Sequence, residues 1–194
     1  MRGTYRISTP PTAEPITLAE ARKQLNFTDD DPTDDDDFIE ALIASARESC
    51  EEYRNCAMLE QVITHVMHSF PCVSDRNPFG EVRLYRPPHL SIETIQYFDA
   101  DNTTQNMTPG TDVIFNATLG TISPKVGESW PATASRPDAV TITYKCGYAN
   151  AAAVPKRFKQ SILVTLTSWY ENRENTVKNL PTVAEHLLGV VREH

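Results

Sequence analysis

Proline and glycine are concentrated in the middle of this 194-residue chain, and their distribution limits where helices can form. Eight of the 14 prolines and four of the seven glycines lie between residues 71 and 137. Helices tolerate neither residue well in their interior, so the middle of the chain is predicted to consist of strands and turns. The parts on either side are predicted to be helical.

Two amphipathic helices are predicted before this region. Thr17 precedes Glu20 by three residues, which is the spacing of a capping box, and predicts a short helix that ends near Leu25. A longer helix is predicted from Asp36 to Tyr53, because apolar residues recur there with a period of 3.6. Its apolar positions are Phe38, Ile39, Leu42, Ile43, Ala46, Cys50 and Tyr53.

Short strands are predicted in the middle region, at residues 62–70, 82–85, 92–98, 113–115, 120–123 and 139–145. The last is the clearest, because Val140, Ile142 and Tyr144 alternate with polar residues. Five or six short antiparallel strands fit a small β-sandwich or barrel. Two further helices are predicted after Pro155, the first with an apolar face that includes Phe158, Ile162, Leu166, Trp169 and Tyr170.

The predicted fold class is therefore α+β. It has a helical body of about four helices, with a small antiparallel β-sandwich or barrel inserted between the second and third major helices. The predicted divisions are a flexible arm (1–12), N-terminal helices (13–57), the β insertion (58–150), a returning helix (151–178) and a C-terminal helix or arm (179–194). The arm contains Pro10-Pro11 and little apolar content, so it is expected to be flexible until bound.

The charge and the apolar pattern exclude several classes of protein. A net charge of −8 disfavours a protein that grips DNA phosphates, but it is compatible with one that DNA merely passes. The chain has no apolar run of about 20 residues and no secretion signal, so a soluble protein of a cytosol-like compartment is expected. None of the four cysteines is spaced as C-x-x-C, which favours reduced thiols.

The sequence contains no complete catalytic motif. Gly127-Glu-Ser-Trp-Pro131 has proline where a nucleophile elbow needs glycine, so Trp130 is predicted to be a packing anchor in a loop. Phosphate-binding glycine motifs are missing. His65 and His68 are predicted to point to opposite sides of a strand, His89 is predicted in a loop, and His186 and His194 have no obvious carboxylate partner, so the histidines are expected on the surface. No enzyme activity, cofactor or metal is predicted.

An acidic run precedes the second helix. Its members are Asp29, Asp30, Asp31, Asp34, Asp35, Asp36 and Asp37. A calcium-binding loop that starts at Asp29 would need glycine at its sixth position, where the chain has Asp34. The run is therefore predicted to be a solvated acidic loop whose aspartates also favour the start of the following helix.

Several segments, taken in order, resemble the head–tail connector (adaptor) proteins of tailed bacteriophages. They are Glu14-Pro-Ile-Thr-Leu-Ala-Glu-Ala-Arg22, Arg86-Pro-Pro88, Tyr97-Phe-Asp-Ala-Asp101, Glu128-Ser-Trp-Pro-Ala-Thr, Arg136-Pro-Asp-Ala-Val-Thr-Ile, Gly147-Tyr148, Val154-Pro155, Lys159-Gln160 and Trp169-Tyr-Glu-Asn-Arg-Glu174. The resemblance covers about residues 13–190.

The resemblance implies a structural subunit of the virion neck, assembled in the host bacterial cytoplasm. A ring, with twelve subunits as the expected number, would dock beneath the portal protein and extend the DNA channel. It would offer an attachment surface to the tail or to the next neck protein. DNA would pass without specific binding, and no membrane would be involved.

The resemblance also suggests roles for particular residues. An acidic loop that faced the channel would repel DNA and keep it from sticking. Trp169, Tyr170 and Arg173 are expected at a subunit interface. The C-terminal segment is expected to reach the portal through Leu187, Leu188, Val190, Val191 and Arg192, although Val190-Val191 stand where relatives often have Pro-Tyr. Two alternatives stay open: a neck or tail-completion protein bound to the tail tube, and a β-domain ligand-binding module.

Overall fold

The computed structural model describes residues 3–28, 30–172 and 180–189. These residues form four α-helices and eight strands, which confirms the mixed α+β class. The chain forms two compact units. One, the β unit, comprises the first ten residues and Glu60–Gly147, and the other, the helical unit, comprises Pro11–Leu59 and the chain from Tyr148 onward.

The helices are α1 (Leu18–Gln24), α2 (Asp36–Arg54), α3 (Lys156–Glu171) and α4 (Thr182–Gly189), with a short 3-10 helix at Ala151–Ala153. The strands are β1 (Thr4–Thr9), β2 (Gln61–Met67), β3 (Val82–Arg83), β4 (His89–Phe98), β5 (Thr104–Met107), β6 (Val113–Asn116), β7 (Thr121–Pro124) and β8 (Val140–Cys146). No described helix is long and apolar enough to cross a bilayer.

The larger sheet has five strands in the order β1-β2-β8-β4-β5, and every neighbouring pair is antiparallel. Strand β8 lies in the centre between β2 and β4. Val140, Ile142 and Tyr144 are buried and alternate with half-buried residues. The alternation predicted for this strand is confirmed, and its period of two sets which side chains face the core.

Strand β1 differs from the flexible arm expected for residues 1–12. It pairs with β2 from Thr4 opposite Val66 to Thr9 opposite Val62, with an irregularity between Ile7 and Thr9. Five of its six side chains are exposed. Main-chain hydrogen bonds to β2 therefore hold this edge strand in place, and they leave little apolar pattern in the sequence.

The smaller sheet has three strands in the order β3-β7-β6. Beside it, the ring of Trp130 stacks on Phe70 with 4.3 Å between ring centroids. The indole N–H of Trp130 donates to the carbonyl oxygen of Gly80 at 2.6 Å. The prediction that Trp130 anchors its loop by packing is confirmed, because the ring fixes two separate segments at once.

The hydroxyl group of Tyr144 forms two hydrogen bonds with the main chain of Tyr85, which lies outside the strands. It donates to the carbonyl oxygen of Tyr85 and accepts from the backbone N–H of the same residue, both at 3.0 Å. The side chain of Tyr144 is fully buried, and this burial raises the pKa of its phenol. A buried hydroxyl that makes both bonds avoids the cost of unpaired polar groups.

The helical unit is built around a shared apolar core. Its buried members include Ile16, Ala21, Ile39, Ile43, Ala46, Cys50, Met58, Phe158, Ile162, Leu166 and Leu188. Helix α2 meets α3 at Cys50, whose sulfur lies 3.7 Å from Oγ of Ser161 and 3.9 Å from Oγ1 of Thr165. Both side chains of the predicted capping box, Thr17 and Glu20, make their bonds at the start of α1.

Helix α2 also carries a buried ion pair. Arg47, 4% exposed, donates from Nη1 to Oε2 of Glu51 at 2.9 Å, and Glu51 is fully buried. Nε of Arg47 donates to Glu14 at 2.8 Å, and Oε1 of Glu51 accepts from the backbone N–H of Met58 at 2.6 Å. The pair thus ties α2 to the segment before α1 and to the turn after α2.

Candidate assembly surfaces

Arg22 organises the described part of the acidic loop. Its Nη1 forms an ion pair with Oδ1 of Asp36, and its Nη2 donates to the carbonyl oxygen of Asp31 at 3.1 Å. The guanidinium also lies 5.0 Å from the ring centroid of Phe27. A cation on α1 therefore holds the loop through both a side chain and the main chain.

Two further loop carboxylates are hydrogen-bonded within the unit. Oδ2 of Asp31 accepts from the backbone N–H of Thr28 at 2.5 Å and from its hydroxyl at 2.9 Å, and these bonds lower the pKa of Asp31. Oδ2 of Asp35 accepts from the hydroxyl of Tyr170 at 2.5 Å. Asp31, Asp35 and Asp36 are half-buried as a result.

The remaining described aspartates of the loop, Asp30, Asp34 and Asp37, are exposed. Asp29 lies outside the described residues. The seven aspartates are equivalent in the sequence prediction. In the structure, Asp31, Asp35 and Asp36 form hydrogen bonds or an ion pair within the unit, whereas Asp30, Asp34 and Asp37 give the loop a charged surface. The second set presents its charges fully to solvent.

Two of the three residues predicted for a subunit interface, Trp169 and Tyr170, are half-buried in their own unit. Tyr170 is half-buried, and its ring lies 6.0 Å from that of Phe27 and 6.3 Å from that of Phe38, measured between centroids. Trp169 is also half-buried and packs against the helical core. Its indole nitrogen is buried and has no hydrogen-bond partner among the described residues. Arg173 lies outside the described residues.

The predicted portal-docking segment is described only in its first part. Leu188 is fully buried in the core of the helical unit, and Leu187 is half-buried. Val190, Val191 and Arg192 lie outside the described residues. Leu188 therefore attaches α4 to its own subunit, and any docking contact in this part of the chain needs other side chains.

Two histidines expected on the surface are buried in the β unit. His65 on β2 is 2% exposed, and His89, expected in a loop, opens β4 and is 8% exposed. Burial lowers the pKa of His65 to about 4 and lowers that of His89 as well. The apolar residues of β2, which are Val62, Ile63, Val66 and Met67, do not alternate strictly, so the sequence does not show which face of the strand is buried or that His65 lies on it.

His65 lies at one wall of a cleft in the β unit with a volume of about 690 Å³. Other lining residues include Gly3, Met67, Phe79, Arg83 and Tyr85. Neither ring nitrogen of His65 has a hydrogen-bond partner among the described residues. A cluster of three or more metal-binding side chains is missing from the described parts of the chain.

Comparisons with known proteins identify the fold. No family model matches the chain, and no curated protein matches its sequence. A chain in the neck of an empty gene transfer agent (GTA) particle, computed with C6 symmetry, aligns with a TM-score of 0.75 and 15% identity, over 96% of this chain and 93% of that one. A chain in the virion of a native GTA particle aligns with a TM-score of 0.76, 15% identity and the same coverage.

A third structure, the neck of a native GTA particle computed with C12 symmetry, contains a chain that aligns with a TM-score of 0.66 and 17% identity. The alignment covers 97% of this chain and 93% of that one. Both units of the present chain are therefore contained in one known fold. The resemblance drawn from the sequence is confirmed at the level of the fold.

Proposed function

We propose that this chain is a structural subunit of the neck of a tailed phage or phage-like particle. The observation that carries the proposal is the fold shared over nearly the full length with chains from GTA necks. The ordered resemblance of sequence segments to head–tail connectors supports it independently. The subunit acts through its surfaces, as an adaptor between the head and the tail, and performs no chemistry.

The proposed assembly is a twelve-membered ring beneath the portal. The C6 and C12 symmetries of the GTA necks support a ring of copies. The ring extends the DNA channel and gives the tail or the next neck protein a surface to bind. The segment from Leu187 to Arg192 contacts the portal through side chains other than that of Leu188, which is buried in its own unit. Trp169 and Tyr170 at the end of α3, together with Arg173, contribute to the contact with the neighbouring subunit.

The direct test is assembly on the portal. The purified chain is mixed with the portal ring of its own particle and examined by native mass spectrometry and cryo-electron microscopy. We expect a ring of equivalent subunits on the tail-facing side of the portal. Binding to the tail tube but not to the portal would instead indicate a tail-side neck protein, and a lone monomer with a ligand in the cleft of the β unit would contradict the assembly role.

The acidic loop is proposed to face the DNA channel, with Asp30, Asp34 and Asp37 as the charged surface. The exposed Asp34→Asn and Asp37→Asn changes together should alter DNA retention or ejection, because they remove two repelling charges per subunit. Ring formation should be unaffected. The measurements are the fraction of particles that keep their DNA and the rate of ejection.

Asp75→Asn with Glu128→Gln is the matched control, since both residues are exposed on the β unit and the change in charge is the same. The channel placement is wrong if particles with the loop changes keep and eject DNA as the unmodified ones do. Asp35 and Asp36 are left intact, because Tyr170 and Arg22 bind them within the subunit.

A further inference from the structure

Helix α2 turns an acidic face to solvent. Glu40, Glu48 and Glu52 are exposed and recur at intervals of four or eight residues, so they share one side of the helix. The buried stripe of α2, with Ile39, Ile43, Ala46 and Cys50, lies on the other side. None of the exposed residues on the acidic face is basic.

A basic face lies on the other helices of the same unit. Lys156 on α3 and Lys23 on α1 are exposed, and Lys159 on α3 is half-buried. The pKa of Glu20 is lowered mainly by its backbone hydrogen bond with Thr17, and Lys159 contributes through its charge. Helices α1 and α3 are in contact, and Glu20 and Lys23 are one turn apart on α1. The three lysines therefore belong to one region of the helical unit, which also contains the exposed Glu20 and has a net positive charge.

Each face is electrostatically unfavourable in the isolated subunit. Glu48 and Glu52 are like charges four residues apart, an arrangement that destabilises a helix, and the ion pair of Glu48 with Arg47 offsets only part of this repulsion. Helix α3 has cations in its first turn, no acidic residue there and no side-chain cap, although a helix N-terminus favours negative charge. An opposite charge from outside the subunit would relieve both.

We propose that the acidic face of α2 in one copy binds the basic face of α1 and α3 in the next copy. The inference rests on the proposed ring and specifies its side-to-side contact. A ring requires two different, complementary surfaces on each subunit. Glu40, Glu48 and Glu52 on α2 and Lys23 and Lys156 on α1 and α3 are exposed and lie outside the apolar core that these helices share.

The test uses two variants that reverse one face each. The first carries Glu40→Lys and Glu52→Lys, and the second carries Lys23→Glu and Lys156→Glu. Glu48 and Lys159 are left unchanged, because Glu48 lies 3.4 Å from Arg47 and Lys159 is close to Glu20. Assembly on the portal ring is measured by native mass spectrometry, and folding is checked by circular dichroism.

Each variant alone should lose ring assembly by about tenfold or more, because its two contact faces then carry the same sign of charge. An equimolar mixture should recover it. In the mixture every contact joins opposite charges when the two variants alternate around the ring, which gives equal numbers of each in every closed ring.

The control carries Asp75→Lys and Glu128→Lys, which change the net charge by the same amount as the first variant but lie on the β unit. It should assemble normally. Folded variants that assemble like the unmodified chain, or a mixture that stays unassembled, would overturn the proposed contact and leave the neck function intact. Failure of the unmodified chain to assemble on the portal would overturn both.

Discussion

Arg47→Met is expected to lower the free energy of unfolding of the helical unit by about 3–5 kcal/mol. The change removes the guanidinium group that donates a hydrogen bond to the Glu51 carboxylate, and this carboxylate is fully buried. An uncompensated buried charge is costly because water no longer solvates it. Chemical denaturation followed by far-ultraviolet circular dichroism measures the loss.

The double variant Arg47→Met, Glu51→Gln separates the cost of a lone charge from the loss of packing. The glutamine keeps an oxygen that can accept from the backbone N–H of Met58, so most of the stability should return. Glu48→Gln is the control, because Glu48 is 67% exposed and lies 3.4 Å from Arg47. It should cost less than about 1 kcal/mol. Equal losses for all three variants would contradict a buried ion pair.

Acidification from pH 7 to pH 4 is expected to remove about 3 kcal/mol of stability from the β unit through His65. The pKa of His65 is about 4 in the folded chain, against 6.5 for an ordinary histidine. The unfolded chain therefore binds a proton more readily between these values. Stability is full above pH 6.5 and decreases as the pH falls through the window from 6.5 to 4.

The measurement is the free energy of unfolding of the unmodified chain and of His65→Phe at several pH values. The variant keeps an aromatic ring near Tyr85, whose ring centroid lies 5.0 Å from that of His65, and has nothing to titrate. It should lose less stability on acidification than the unmodified chain. The exposed His68→Gln is the control and should keep the original acid sensitivity. A steep acid loss that persists in His65→Phe would show that another group is responsible.

The elements that the sequence predicts well are those with a local pattern. The capping box of Thr17 and Glu20, the buried stripe of α2 and the alternation in β8 depend on neighbours within a few residues. Strands β1 and β5 have exposed or half-buried side chains and depend on pairing with β2 and β4. Their stabilising bonds are between main-chain groups, which every sequence carries, so no pattern marks them.

The contacts within the candidate surfaces are likewise not marked by a local sequence pattern. Tyr170 and Asp35 are 135 residues apart, and no spacing rule predicts that the hydroxyl of Tyr170 donates to the carboxylate of Asp35. Arg47 and Glu51, four apart, have the spacing of an ordinary exposed pair on a helix. Only the burial of both side chains, with the backbone of Met58 at the carboxylate, distinguishes them from such a pair.

The interruption of the helical unit by Glu60–Gly147 has a consequence for synthesis on the ribosome. About 100 residues separate the end of α2 from the start of α3. At roughly 5–20 residues per second, the apolar stripe of α2 waits about 5–20 s for its partner helix. The strands β1–β8 are all available before α3 emerges. The β unit can therefore fold first, while the nascent helices α1 and α2 expose an apolar surface that chaperones or other nascent chains can bind.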